Sequence, residues 1–267
     1  GGADPVEAPG GGAWVAAVHA DRGKLIGVSQ HRVAPSVHEQ TNELAAALGA
    51  LRTELELPGT YPAEAVRDAE AAVAAHELPG ADLTEVDFLT IDPASSTDLD
   101  QALFIERADA GYRVLYAIAD VPSFVRPGGV LDAETRRRGQ TFYAPDGRIP
   151  LHPEVISEGA GSLLAGQLCS AYVWEFGLDN TAQVSTVSIR RATIRSRAKL
   201  SYKGVQAELD AGTPAPVLQL LKEVGLKRVE LERQRGGASL NMPEQEIVQL
   251  PDGGYRIAAA PQLPVED

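Results

Sequence analysis

Asp92, Asp98 and Asp100 lie in one short segment, Thr90-Ile91-Asp92-Pro93-Ala94-Ser95-Ser96-Thr97-Asp98-Leu99-Asp100-Gln101-Ala102-Leu103. Carboxylates this close repel one another, and a raised pKa or a bound cation must relieve the repulsion. Oxygen donors suit hard cations, so the chemistry on offer is binding of Mg²⁺ or Mn²⁺, with substrate phosphates sharing the ion. Asp, Ser, Thr and Pro are also ordinary turn formers, so a bare polar loop is the competing reading.

The flanking elements decide where these carboxylates point. Residues 86–91 are apolar enough for a buried strand, Pro93 prevents its simple continuation, and the apolar pattern resumes at Ala102. Asp92 then sits at a strand end. If the chain is extended from Asp98 to Asp100, both leave the same face and converge with Asp92, because side chains alternate along a strand.

Further strands are expected at 102–107 and 112–119, joined by the turn Asp109-Ala110-Gly111. Two long strands follow at 167–178 and 181–195, separated by Asp179-Asn180. Earlier, 14–19 and 24–32 read as short strands after a Gly-rich start. Residues 36–57 carry Leu44, Leu48, Leu51 and Leu55 at helical spacing, and Leu57-Pro58-Gly59 breaks that helix before another at 62–76. Helices are also expected at 201–209 and 216–235. Strands followed by helices, without regular βαβ alternation, indicate an α+β fold.

The whole aspartate string resembles the signature of the ribonuclease II family, the RNB catalytic domain of processive 3′ to 5′ exoribonucleases. The resemblance continues through Tyr116-Ala117-Ile118-Ala119-Asp120-Val121-Pro122 and through Phe142-Tyr143-Ala144-Pro145-Asp146-Gly147-Arg148-Ile149-Pro150-Leu151-His152-Pro153. It reaches Ala192-Thr193-Ile194-Arg195-Ser196-Arg197-Ala198-Lys199-Leu200-Ser201-Tyr202, in the family's order. It implies an RNB-like mixed, largely antiparallel sheet flanked by helices. Residues 1–80 would be an N-terminal tail with short strands and a helical segment, and 81–267 part of an RNB-like catalytic domain.

The family pattern has four aspartates. Asp92, Asp98 and Asp100 match the first three, and Gln101 takes the fourth position with a carboxamide oxygen but no charge. The resemblance implies metal ligands at Asp92 and Gln101, support from Asp98, and in Asp100 the carboxylate tied most closely to hydrolysis. Phosphodiester cleavage needs an oriented water and charge stabilisation on the leaving oxygen, which two-metal carboxylate sites supply. Tyr143 matches the tyrosine that stacks on nucleotides near the 3′ end and helps set the final product length. A flat ring grips any base without reading sequence. The competing role for Tyr143 is a core aromatic. Phe142 and Tyr143 point to opposite faces if extended, and the hydroxyl makes Tyr143 the exposed member.

Composition bounds these readings. With 267 residues and 44% hydrophobic content the chain can bury a sizeable core. The single Cys169 leaves no intrachain disulfide and no cysteine-rich zinc site, and the five histidines are scattered. No apolar run is long enough to span a membrane and no signal peptide is evident, so the expected address is the cytoplasm. A net charge of −13 excludes a protein that coats nucleic acid, but a local basic channel suffices for an exonuclease. Arg191, Arg195, Arg197 and Lys199 share one side if their run is a strand, which suits both a phosphate path and a solvated face. Arg136, Arg137 and Arg138 form a second basic cluster, on a helix upstream of Tyr143.

The resemblance therefore implies a metal-dependent 3′ to 5′ exoribonuclease on single-stranded RNA, releasing nucleoside 5′-monophosphates, with this chain a portion of the enzyme. Its partners would be RNA and the C-terminal remainder of the RNB domain, or a chain supplying it. The alternative is a catalytically impaired RNB scaffold that binds RNA or regulates. An unrelated Mg²⁺-dependent phosphoesterase is a third.

Overall fold

The structure is a computed structural model that describes residues 37–237, 244–250, 255–260 and 263. The strands expected at 14–19 and 24–32 fall outside them. Helices α1 (Val37–Glu54) and α2 (Ala63–Ala74) precede strands β1 (Asp82–Asp92), β2 (Gln101–Ala108) and β3 (Gly111–Ala119). An excursion follows: a 3₁₀ turn Val121–Phe124, helix α3 (Val130–Arg138), a small hairpin of β4 (Phe142–Ala144) and β5 (Gly147–Ile149), and a π-helical turn Val155–Ala160. Long strands β6 (Leu168–Asp179) and β7 (Val184–Ser201) come next, then helices α4 (Tyr202–Ala211) and α5 (Pro216–Gln234) and a hairpin of β8 (Glu244–Gln249) and β9 (Tyr255–Ala260).

The α+β fold with a mixed, largely antiparallel sheet is present, and the sheet is closed. Strands β1, β2, β3, β6 and β7 pair antiparallel in that order, and β7 returns to β1 in parallel to complete a barrel. A five-stranded barrel has a narrow interior. Ala102, Ala117, Ala119, Ala171 and Ala192 accordingly share it with Phe88, Leu99, Leu115, Leu163, Val173 and Ile194. A second core lies outside the barrel, where Val224 of α5 meets Ile105, Tyr112 and Leu178. In a third, Ala69 of α2 packs with Phe124, Leu131 and Ile156 of the excursion.

Local signals explain most boundaries. Gly111 holds φ +146°, and a Cβ there would stand 2.1 Å from the Leu178 carbonyl oxygen, so only glycine closes the β2–β3 turn against β6. Ser201 caps α4 by accepting from the Gly204 amide at 3.1 Å, Gly212 ends it in the left-handed region, and Pro216 opens α5. The strand expected at 181–195 instead begins at Val184 and runs to Ser201. Its start is delayed because the Asp179 carboxylate accepts from the amides of Thr181 and Gln183 at 2.8 and 2.9 Å, folding those residues into a turn. Helix α1 forms where expected but ends at Glu54, so Leu55 falls beyond it, and both Leu51 and Leu55 remain exposed.

The Arg136–Arg138 run lies on α3 as expected, with divided roles. Arg136 and Arg137 pair with Asp132 and Glu134 near the surface. The Arg138 side chain is only 1% exposed. It donates to Glu134 at 2.9 Å, to the Pro150 carbonyl at 3.2 Å and to the Gly59 carbonyl at 2.7 Å, and lies 3.7 Å over the Tyr61 ring. It ties the α1–α2 connection to the chain after β5, and cannot also serve as a free RNA contact. Arg138→Ala should lower unfolding free energy by about 3 kcal/mol, because it strands a buried carboxylate and two carbonyls. Arg137→Ala should cost far less. Urea unfolding of both variants checks this.

Candidate active site at the barrel rim

The acidic segment bridges β1 and β2 at one end of the barrel. Asp92 is the last residue of β1, and Pro93 starts a turn in which its carbonyl accepts from Ser96 at 3.0 Å. Leu99 is 1% exposed and belongs to the barrel core. Its amide donates to Ser162 Oγ at 2.9 Å, and its carbonyl accepts from the Leu163 amide at 2.9 Å. Ser162 Oγ in turn donates to the Thr97 carbonyl at 2.8 Å. With Leu99 turned inward, Asp98 and Asp100 are left on the other side of the chain. The Asp100 carbonyl accepts from Ala119 at 2.8 Å, which continues the β2–β3 ladder up to the loop.

The carboxylates feel one another. Loss of hydration, then the charge of Asp100, then that of Asp98 push Asp92 above the usual aspartate range, against the pull of Lys199. Asp100 is raised by the same loss of hydration and by Asp98. Asp98 has an internal partner: Arg148 Nη1 lies 3.1 Å from its Oδ2, and the same guanidinium pairs with Glu158. Thr97 Oγ1 donates to Glu158 at 2.6 Å. Tyr143, opposite Arg148 in the β4–β5 ladder, is 74% exposed while Phe142 is half-buried. Partial burial of its hydroxyl and the charge of Asp98 push its phenol up. The expected exposed aromatic thus stands beside the carboxylates.

The basic run of β7 is not a free row of cations. Arg191 grips the buried Asp120 through Nε at 2.8 Å and Nη2 at 2.5 Å and lies over Tyr172. Arg197 pairs with Asp87 at 3.0 Å and donates to the Thr84 carbonyl. Lys199 Nζ reaches the carbonyls of Ala94 and Ser96, which makes it a strut of the aspartate loop. Arg195 is half-buried and acts electrostatically on Asp82. Thr193, between them, is buried, with its hydroxyl on the Pro79 carbonyl at 2.7 Å.

Ser162, Glu158 and Arg148 are the site residues that sequence reasoning missed. Ser162 and Glu158 come from the π-helical turn and its exit, and only the fold brings them to the loop. Among the described residues, no three His, Cys, Asp or Glu side chains are gathered as a ready metal set. The donor chemistry of Asp92 and Asp100, two unpaired repelling carboxylates, fits a hard cation. Asp98 is directed to Arg148 instead, and Gln101 offers one neutral oxygen.

The model of a family described as RNB domain matches residues 81–260. The chain belongs to the RNB family. Ribonuclease R of Vibrio parahaemolyticus is 32% identical over 240 residues, covering 85% of the RNB chain and 28% of that relative. Exoribonuclease 2 of Aeromonas hydrophila is 34% identical over 195 residues, covering 68% and 28%. Among solved structures, the apo form of Mycoplasma genitalium RNase R matches with a TM-score of 0.76 at 24% identity, over 83% of this chain and 36% of that one, a likeness of fold. The RNB chain spans 24 to 30% of the length of relatives such as these. Among the described residues no helix is long and apolar enough to cross a membrane.

A stability consequence follows from the raised carboxylates. A carboxyl whose folded-state pKa lies above its unfolded value destabilises the fold once ionised, and stability recovers as pH falls through the folded-state value. Without added metal, Asp100→Asn should therefore melt at a higher temperature than the wild type at pH 7, and the gap should close on acidification. Thermal unfolding in EDTA at pH 7 and at successively lower pH tests this; a lower midpoint at pH 7 contradicts it.

Proposed function

We propose that the RNB chain is the metal-binding portion of a hydrolytic 3′ to 5′ exoribonuclease that acts on single-stranded RNA in the cytoplasm and releases nucleoside 5′-monophosphates. The observation that carries this reading is the pinned aspartate loop facing the exposed ring of Tyr143. A phosphate and a base of one strand end can be held there together. Family membership and relatives named as ribonucleases and exoribonucleases support the substrate class.

Mg²⁺ or Mn²⁺, held by Asp92 and Asp100 with the Gln101 carboxamide alongside, would supply charge stabilisation and a reactive water. The chain's own groups do the rest. Asp100 orients the attacking water, and Asp98, on the same side of the chain, supports it through its charge. Tyr143 stacks on a base near the 3′ end, worth about 1 to 3 kcal/mol per base and independent of sequence. Of the β7 residues expected to meet phosphate, Arg191 and Arg197 are offset by Asp120 and Asp87, so Arg195 carries the contact and Lys199 acts mainly through the loop it braces. Processive degradation on this reading also draws on the C-terminal remainder of an RNB domain, or on a partner chain supplying it.

The second reading, an RNB scaffold that binds RNA with impaired catalysis, is favoured by Gln101 in place of a fourth carboxylate and by the commitment of Asp98 to Arg148. One pair of measurements separates the two. With the full-length protein, single-stranded RNA blocked at its 3′ end should resist degradation, whereas a 5′ block should not matter. Asp100→Asn should abolish release of mononucleotides while anisotropy shows near-normal RNA affinity, as expected for a group that acts in the transition state. RNA binding without hydrolysis in the wild type would establish the second reading. Gln101→Asp should tighten Mn²⁺ binding measured by calorimetry, because it adds an anionic ligand; unchanged affinity would mean that position 101 does not face the ion.

A further inference from the structure

The hairpin that carries Tyr143 has no core of its own. No residue from Phe142 to Ile149 is buried, so the hairpin's position depends on the contacts that tie it down. At its turn, Asp146 accepts from Arg52 of α1. On β5, Arg148 spans two carboxylates, Asp98 on the aspartate loop and Glu158 on the π-helical turn, and its Nη2 is 3.4 Å from Thr97 Oγ1. Glu158 is held in turn by Thr97 at 2.6 Å. The result is a closed ring of Arg148, Asp98, Thr97 and Glu158 with one cation at its centre. The side chains of Arg148, Asp98 and Glu158 are only 25 to 28% exposed, so solvent screens them incompletely.

Charge counting gives this ring a role. The loop brings three carboxylates, Asp92, Asp98 and Asp100, and a neutral Gln101, and the ring adds Glu158, so the guanidinium offsets one of four negative charges and is shared between Asp98 and Glu158. We propose that Arg148 is a positioning residue that reserves Asp98 for itself, so that the site takes one divalent ion between Asp92 and Asp100 and the guanidinium stands as the second positive charge. The same contact ties the hairpin that carries Tyr143 to the aspartate loop, because Tyr143 and Arg148 are direct partners across the hairpin and Asp98 lies beside the Tyr143 hydroxyl. This inference rests on the metal reading given above and adds the number of ions and the residue that sets it.

Calorimetric titration of MnCl₂ into the 267-residue chain tests it, with circular dichroism confirming that each variant is folded. The wild type should bind one equivalent. Arg148→Gln should lower the Mn²⁺ dissociation constant about fivefold, the scale of one partly exposed ion pair released to a competitor. Arg148→Lys, which keeps the charge, should stay within about twofold of the wild type, and Arg148→Gln should have no effect in an Asp98→Asn background. A merely structural role for Arg148 predicts a lower melting temperature and weaker Mn²⁺ binding in Arg148→Gln, and that result overturns the inference. So does unchanged affinity in a wild type that binds Mn²⁺, which leaves the metal reading intact. Absence of Mn²⁺ binding in every folded variant would overturn the metal reading and this inference together.

Discussion

Burial of Leu99 in the barrel interior is the constraint on which the site depends. The aspartates flanking it repel one another and lose hydration, and an unsupported loop would splay them apart. Full burial of a leucine side chain stabilises by about 1.5 to 3 kcal/mol, the same order as such a local repulsion in a partly solvated setting. The hydrogen bonds from Leu99 to Ser162 and from Leu163 to Leu99 convert that burial into a defined geometry. Lys199 braces the opposite limb of the loop through two carbonyls. The carboxylates are thus held by the backbone and the core rather than by contacts among themselves.

This arrangement separates the residues that bear charge from those that hold position. Among the described residues, no cationic side chain is hydrogen-bonded to Asp92 or Asp100. Arg191, Arg197 and Lys199 of the run on β7 are engaged by Asp120, by Asp87 and by loop carbonyls. Arg138, in the middle of a conspicuous charge run, is spent on carbonyls and one buried carboxylate. Net charge and charge runs therefore describe this molecule poorly, and the partner of each cation describes it well.

What the sequence made legible follows from interaction range. Strand and helix positions were readable because alternation, turn residues and caps act over a few residues: Gly111, Ser201, Gly212 and Pro216 all stand where local chemistry requires them. The three aspartates and Tyr143 were readable as a motif. The closure of β7 onto β1 was not, since nothing in residues 82–92 announces a parallel partner more than a hundred positions away. Ser162 and Glu158 escaped notice because a serine and a glutamate in a Gly-rich stretch carry no signal until the π-helical turn brings them to the loop. Arg138 could not be told apart from Arg136 and Arg137 in the sequence, because burial distinguishes it and composition does not.

The parallel closure also bears on how the molecule comes into being. Strand β1 carries Asp92, yet its second neighbour, the Thr193–Ser201 half of β7, is made only after β2, β3, the entire excursion and β6. A growing chain emerging from the ribosome can form the β2–β3 hairpin early, but the cylinder stays open along one seam until that last segment arrives. Sequence-distant pairings of this kind slow folding, because the entropy of loop closure is lost before the contact is gained. The braces of the acidic rim, Ser162 and Lys199, are likewise supplied by chain made after it, so the loop that carries the aspartates is synthesised before the scaffold that orients it.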